Sequence, residues 1–83
     1  MSVALTFLTR ADCHLCDAAR RVVLAGIAGR DVDLTEVDID SDDDLRAKYD
    51  WDVPVVLING RQHSFHRVDP DRLARALDRA ESA

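Results

Sequence analysis

Two cysteines, Cys13 and Cys16, are the residues of this 83-residue chain whose type and spacing most directly suggest chemistry. They form a Cys-x-x-Cys motif, with His14 and Leu15 between them, at the point where an apolar stretch is followed by a helical pattern. At the N-terminus of a helix, the first sulfur lies beside unpaired backbone amides and the positive end of the helix dipole. Both favour thiolate over thiol, so the pKa of Cys13 should fall below the free-cysteine value of about 8.5.

Charged neighbours of the motif act on this pKa in both directions. Arg10 and a charged His14 would lower it, whereas Asp12 would raise it. Because Cys16 lies almost one helical turn from Cys13 on the same face, the two sulfurs can close a small disulfide ring. The spacing therefore predicts a dithiol cycle, in which Cys13 attacks a substrate disulfide, Cys16 resolves the mixed disulfide, and an external reductant restores both thiols.

The motif alone leaves two other uses of the thiols open. Two close cysteines could be part of a zinc or iron–sulfur site, and His63 and His66 would complete a Cys₂His₂ set. These histidines lie far along the chain, however, and residues three apart in a strand point to opposite faces. The second alternative is an interaction domain that keeps the fold without the chemistry.

Four strands and three helices are predicted to position the motif. In chain order they are a strand over 3–8 buried on both faces, an amphipathic helix over 13–28, an acidic edge strand over 32–39, a short helix ending near 49, a hairpin over 53–58 and 61–66, and a last helix that begins at Asp69-Pro70. The order β-α-β-α-β-β-α begins with a right-handed βαβ unit, and the hairpin adds antiparallel strands to the same sheet. We therefore predict one α/β domain over residues 1–83, with a mixed four-stranded sheet and helices on both faces.

Local signals refine this arrangement. Ser41 is the predicted N-cap of the second helix with Asp44 as its reciprocal partner, and Asn59-Gly60 is the predicted hairpin turn. Tyr49 and Trp51 are interpreted as packing residues, although an aromatic residue there could also border a substrate groove. The first helix is predicted to bury an apolar face made of Leu15, Ala18, Ala19, Val22, Val23 and Ile27.

Two segments carry a resemblance to a known family. The first is Thr9–Asp17, with the sequence Thr-Arg-Ala-Asp-Cys-His-Leu-Cys-Asp, and the second is Val53–Gly60, Val-Pro-Val-Val-Leu-Ile-Asn-Gly. Together with their spacing and the order of elements from Ala4 to Leu77, they resemble the glutaredoxin-like branch of the thioredoxin fold. The resemblance implies a three-layer, thioredoxin-like domain that acts as a small thiol–disulfide oxidoreductase in electron transport.

The same resemblance implies roles for particular residues. Cys13 would be the exposed nucleophile and Cys16 the resolving thiol. Pro54 would follow a cis peptide bond and lie against the two sulfurs, while the backbone of Val53 would pair with an extended disulfide substrate. The residues expected to bind substrate are Arg10, His14, Asp52, Val53 and Pro54.

The chain departs from the family pattern in two places. His-Leu stands between the cysteines where typical members have Pro-Tyr or Gly-Pro. The glycine pair of glutathione-binding members is replaced by residues of Ser64-Phe65-His66-Arg67, whose side chains would crowd the site of the glutathione carboxylate. This region is loosely similar to small redoxins that serve ribonucleotide reductase. The electron donor is therefore expected to be an external thiol, such as glutathione, or a flavoprotein thioredoxin reductase, with no bound cofactor or metal.

Composition excludes several other classes of protein. The net charge of −5 disfavours binding to a phosphate backbone, and no apolar run approaches the roughly 20 residues of a membrane span. The segment Met1 to Leu8 has no basic region and is short for a signal peptide, so we expect a cytoplasmic location. The expected protein is a monomer whose partners are protein or low-molecular-weight disulfides.

Overall fold

The computed structural model describes residues 2–82, which form a mixed sheet with helices on both sides. Met1 and Ala83, the ends of the predicted domain, lie outside the described residues. The elements are β1 (Val3–Thr9), α1 (His14–Ile27), β2 (Val32–Asp38), a 3₁₀ turn (Ile39–Ser41), α2 (Asp43–Tyr49), β3 (Val55–Ile58), β4 (Arg61–Phe65) and α3 (Pro70–Ser82). The strand order is β2-β1-β3-β4, with β1 parallel to β2 and antiparallel to β3, and with β3 antiparallel to β4. The predicted element order and the edge position of β2 are confirmed.

Each face of the sheet packs against its own hydrophobic core. The larger core, under α1 and α3, contains Val3, Leu5, Phe7, Ala19, Val23, Val56, Ile58, Val68, Leu73 and Leu77. The smaller core, under α2, contains Leu8, Ile39, Tyr49 and Val55. Because α2 has only seven residues, it covers only one end of β1, where Leu8 is buried. Ala4 is exposed and Thr6 is half-buried, so the predicted burial of β1 on both faces is correct only near its C-terminal end.

The N-cap of α2 differs from the prediction. Ser41 belongs to the 3₁₀ turn, and its hydroxyl donates a hydrogen bond to the carbonyl of Asp38 at 2.6 Å. Asp42, in extended conformation, accepts hydrogen bonds from the amides of Asp44 and Leu45 at 2.9 and 3.2 Å. The predicted N-cap Ser41 is therefore wrong by one residue, because the 3₁₀ turn shifts the start of the helix, and Asp44 contributes its backbone amide to the cap.

The start of α3 is as predicted. Pro70 is its first residue, and the carboxylate of Asp69 accepts a hydrogen bond from the amide of Asp71 at 3.0 Å. Val68 and Leu73 flank this cap and are both buried in the larger core. Apolar residues at these two positions are those of a hydrophobic staple, which sets the direction in which a chain enters a helix.

The β3–β4 hairpin turns at Asn59 and Gly60, both with positive φ, as predicted. A bulge then shifts the register, since Val56 pairs with Ser64 and Leu57 pairs with Gln62. The extra residue is His63, which is half-buried, whereas His66 lies beyond the end of β4 and is exposed.

Neither a membrane span nor a metal-binding cluster is found among residues 2–82. No helix there is long and apolar enough to cross a membrane. The same residues contain no group of three or more histidine, cysteine, aspartate or glutamate side chains that could hold a metal ion.

Candidate active site

The chain segment that follows β1 and the chain segment that precedes β3 lie at the same end of the sheet. The two strands are antiparallel neighbours, and Leu8 near the end of β1 pairs with Val55 at the start of β3. Cys13 follows β1, and Val53 and Pro54 precede β3. The topology therefore brings together the two segments on which the family resemblance rests.

Arg10 ties the segment after β1 to the end of α2 and to the 3₁₀ turn. Its guanidinium donates to the carboxylate of Asp50 and, at 3.3 Å, to the Asp50 carbonyl. Two of its nitrogens also lie 3.2 Å from the carboxylate oxygens of Asp40. Hydrogen bonds to Asp50 and then to Asp40 raise the pKa of Arg10. A substrate anion would compete with both carboxylates for this side chain, so its predicted contact with substrate stays a prediction.

The cysteine pair lies at the start of α1. Cys13 and Cys16 are joined by a disulfide, with their Cα atoms 5.2 Å apart. Cys13 is the N-cap residue, and its sulfur accepts a hydrogen bond from the amide of Cys16 at 3.1 Å. Cys13 is half-buried, whereas Cys16 is 1% exposed. A bulky reactant can therefore reach the sulfur of Cys13 but not that of Cys16.

A tight turn sets the direction in which Cys13 enters the helix. Asp12 has a φ of 56°, in the left-handed region that aspartate tolerates better than most residues with a side chain. The side chains of Asp12 and His14 are exposed on either side of Cys13. The structure thus leaves both groups at the rim of the site, and the predicted substrate contact of His14 stays a prediction.

Val53 and Pro54 lie on the segment before β3, and the predicted position of Pro54 against the two sulfurs stays a prediction. Their peptide bond is cis, as the resemblance implies, and Pro54 is fully buried. Val53 is partly buried against the smaller core. Within residues 2–82, neither its amide nor its carbonyl pairs with another backbone group. The Val53 backbone is therefore free to pair with an extended chain.

His66 holds the loop that contains Val53. Its amide donates to the carbonyls of Pro54 and Asp52, at 2.8 and 3.2 Å, and its ring Nε2 lies 2.7 Å from the carbonyl of Trp51. His66 has a φ of 62°, a conformation that glycine adopts more easily. It lies in the segment where the resemblance expects a glycine pair, and it uses its backbone amide to hold the loop. The sequence analysis considered His66 only as a possible metal ligand and did not predict this role, because its partners lie on a distant segment. The predicted substrate contact of Asp52 stays a prediction.

The two aromatic residues before this loop differ in their environment. Tyr49 is 6% exposed and packs in the smaller core, as predicted. Trp51 is 86% exposed, so its interpretation as a packing residue is wrong. The amide of Asp52 donates to the carbonyl of Tyr49 at 2.9 Å, which closes a turn after α2. Trp51 lies within this turn, outside the core that Tyr49 fills.

The first turns of α1 line a groove. Leu15 and Ala18 are exposed, although both belong to the predicted apolar face of the helix. They border a cavity of about 350 Å³, whose other wall includes His66 and Val68. The prediction is wrong for these two residues because a groove, rather than a packed element, lies against the start of the helix. The helical period alone cannot distinguish a groove from a core.

Comparisons with known proteins agree with this geometry. Residues 4–78 match the family described as "Glutaredoxin-like domain (DUF836)". An uncharacterized protein of Mycobacterium tuberculosis is 36% identical over 78 residues, covering 88% of this chain and 80% of that protein. A structural genomics target protein from X. campestris has a TM-score of 0.75 at 37% identity, covering 90% of this chain and 96% of that one.

A mutant thioredoxin from Halobacterium salinarum has a TM-score of 0.72 at 21% identity, covering 95% of this chain and 74% of that chain. At this identity the likeness concerns the fold alone. It confirms the predicted thioredoxin-like architecture.

Proposed function

This chain belongs to the glutaredoxin-like domain family, and from that premise we propose that it is a small thiol–disulfide oxidoreductase. The observation that carries the proposal is the asymmetry of the cysteine pair. Cys13 caps the first helix and is accessible, while Cys16 is bonded to it and buried. One accessible and one protected sulfur are what a nucleophile and a resolving thiol require.

The proposed reaction runs in two exchanges. In the reduced protein, the Cys13 thiolate attacks one sulfur of a substrate disulfide, and the other substrate sulfur leaves as a thiolate that takes up a proton. The thiolate of Cys16 then attacks the Cys13 sulfur of the mixed disulfide, which releases the second substrate thiol and forms the Cys13–Cys16 disulfide. Substrate gains two electrons and two protons, and the protein loses them.

The surrounding residues would orient the substrate. The free backbone groups of Val53 can hydrogen-bond an extended substrate chain beside the sulfurs, as one strand pairs with another. The amide of Cys16 donates to the sulfur of Cys13 and would stabilise the Cys13 thiolate that attacks the substrate disulfide. We assign Arg10 the role of holding the segment after β1 against the end of α2, because its guanidinium already binds the carboxylates of Asp40 and Asp50.

An external donor must return two electrons to the protein. The two candidates are a thiol such as glutathione and a flavoprotein reductase of the thioredoxin reductase type. The amides of His66 and Arg67 donate to carbonyls of the protein itself. Since they are not free to bind a glutathione carboxylate, the reductase is the donor we favour.

Disulfide reduction measured with each donor tests this function. Insulin and a small disulfide are supplied to the protein with glutathione plus its reductase, and separately with thioredoxin reductase. We expect turnover with thioredoxin reductase, and its loss in Cys13→Ala and Cys16→Ala. Turnover with neither donor would contradict the proposal and favour a non-catalytic interaction domain.

A further inference from the structure

Trp51 is the single tryptophan of the chain, and it projects into solvent just before the proposed substrate-binding loop. Its side chain is 86% exposed, although tryptophan is among the residues that gain most from burial. Trp51 is not part of the smaller core, where Tyr49 is the buried aromatic residue under α2. Among residues 2–82, neither hydrophobic core includes Trp51, so packing within the protein does not account for a tryptophan at this position.

Other large apolar side chains are also exposed. Among the described residues, the exposed large hydrophobic side chains are Leu15, Leu24, Trp51 and Phe65. Leu15 lies between the two cysteines, and Phe65 ends β4 and pairs with Val55 at the start of β3. Three of these four residues therefore lie on segments at the end of the sheet where β1 leads to the cysteines, and exposed apolar groups near one another are typical of binding surfaces.

The backbone of Trp51 is anchored before any partner binds. Its carbonyl lies 2.7 Å from Nε2 of His66, and the His66 ring contacts the Phe65 ring edge-to-face at 4.9 Å between centroids. These contacts hold the backbone at Trp51 against His66, whose ring in turn contacts Phe65. Holding the segment in place lowers the entropic cost of binding.

The chemistry of this edge favours a polypeptide over a small charged thiol. Two groups near the site that could hold a carboxylate are already engaged, because Arg10 binds Asp40 and Asp50 and the His66 amide binds the loop. Leu15, Trp51 and Phe65 offer apolar contacts here, and the backbone of Val53 offers hydrogen bonds. An extended chain with bulky apolar side chains complements both.

We propose that Trp51 is a specificity-determining residue that contacts a bulky apolar side chain of a polypeptide substrate, within a few residues of the substrate disulfide. This inference rests on the proposed oxidoreductase function. It predicts that Trp51 contributes to substrate affinity and not to the exchange of sulfur atoms.

Steady-state kinetics with matched substrates test the inference. Two disulfide-linked peptides are compared, one with phenylalanine and one with serine beside the cysteines, together with a small aliphatic disulfide. For Trp51→Ala we expect KM for the phenylalanine peptide to rise roughly tenfold, which corresponds to about 1.4 kcal/mol. Its kcat, and the rate with the aliphatic disulfide, should stay unchanged. Trp51→Phe should restore most of the affinity.

Leu24→Ala is the matched control, because it removes another exposed apolar side chain from a later turn of α1, 49% exposed. It should leave the kinetics with every substrate unchanged. An unchanged KM in Trp51→Ala, or an equal loss with the aliphatic disulfide, would overturn the inference. A wild-type protein that reduces no substrate with either donor would instead refute the proposed function.

Fluorescence separates binding from catalysis. Since Trp51 is the single tryptophan, the emission of a Cys13→Ser/Cys16→Ser protein reports its environment directly. We expect a saturable shift to shorter wavelength with the oxidised phenylalanine peptide and none with the serine peptide. The absence of a shift with the phenylalanine peptide, or equal shifts with both, would contradict the proposed contact whatever the activity assay shows.

Discussion

Reduction of the Cys13–Cys16 disulfide should release two thiols with very different reactivity. Cys16 is 1% exposed, whereas Cys13 is half-buried at the start of α1, so accessibility alone favours Cys13 by roughly tenfold. The Cys13 sulfur also accepts a hydrogen bond from the amide of Cys16 at 3.1 Å, which stabilises the thiolate that alkylating agents attack. The two effects act in the same direction, and we expect Cys13 to be alkylated at least about tenfold faster than Cys16 at neutral pH.

A timed alkylation measured by peptide mass spectrometry tests this ratio. The protein is reduced, treated with iodoacetamide for increasing times and digested, and the modified fraction of each cysteine is followed. The control is the same experiment in concentrated guanidinium chloride, where both cysteines should react at similar rates because the helix and the burial are lost. Equal rates in the folded protein, or faster reaction of Cys16, would refute the assignment of nucleophile and resolving thiol.

Two further predictions concern the stability of the fold. Asp42→Ala removes the N-cap of α2 and should cost about 1 kcal/mol, which lowers the Tm by roughly 4–8 °C, whereas Ser41→Ala should have a much smaller effect. A larger loss for Ser41→Ala in thermal unfolding would contradict the observed cap. Burial, Arg72 and Arg79 all lower the pKa of His63 below 6.5, so the folded protein binds fewer protons than the unfolded chain between that lowered value and 6.5. Stability should therefore fall as the pH drops below 6.5, and His63→Gln should reduce this dependence in thermal unfolding; an unchanged pH dependence would contradict it.

The parts of the fold that were predicted correctly from the sequence are those that depend on local patterns of residues. Apolar strands, helical periods, the Asn59-Gly60 turn and the Asp69-Pro70 helix start each depend on a few adjacent residues. The Cys13–Cys16 motif was equally readable, because its place at the start of α1 follows from the change of period after β1. The order of elements then limits the topology, and this brings Val53 and Pro54 to the same edge as the cysteines.

The parts that were missed depend on contacts between distant segments. The bulge that makes His63 an extra residue arises from the pairing of β3 with β4, which no single segment encodes. The contacts of Arg10 with Asp40 and Asp50, and of His66 with the loop, join residues far apart in the chain. The apolar face of α1 and the aromatic residues Tyr49 and Trp51 raise the same difficulty. The local sequence does not show which of these side chains are covered by other parts of the protein. Leu15 therefore has an exposed position that its local sequence did not predict.

The most direct test of the proposed exchange is to stop it between its two steps. The Cys16→Ser protein lacks the resolving thiol, so reaction with an oxidised peptide should leave that peptide attached to Cys13 as a stable mixed disulfide, detected as one added peptide mass and released by dithiothreitol. Cys13→Ser should form no such adduct, because Cys16 is 1% exposed. Failure of Cys16→Ser to form the adduct, or an equal adduct on the remaining cysteine of Cys13→Ser, would contradict the account.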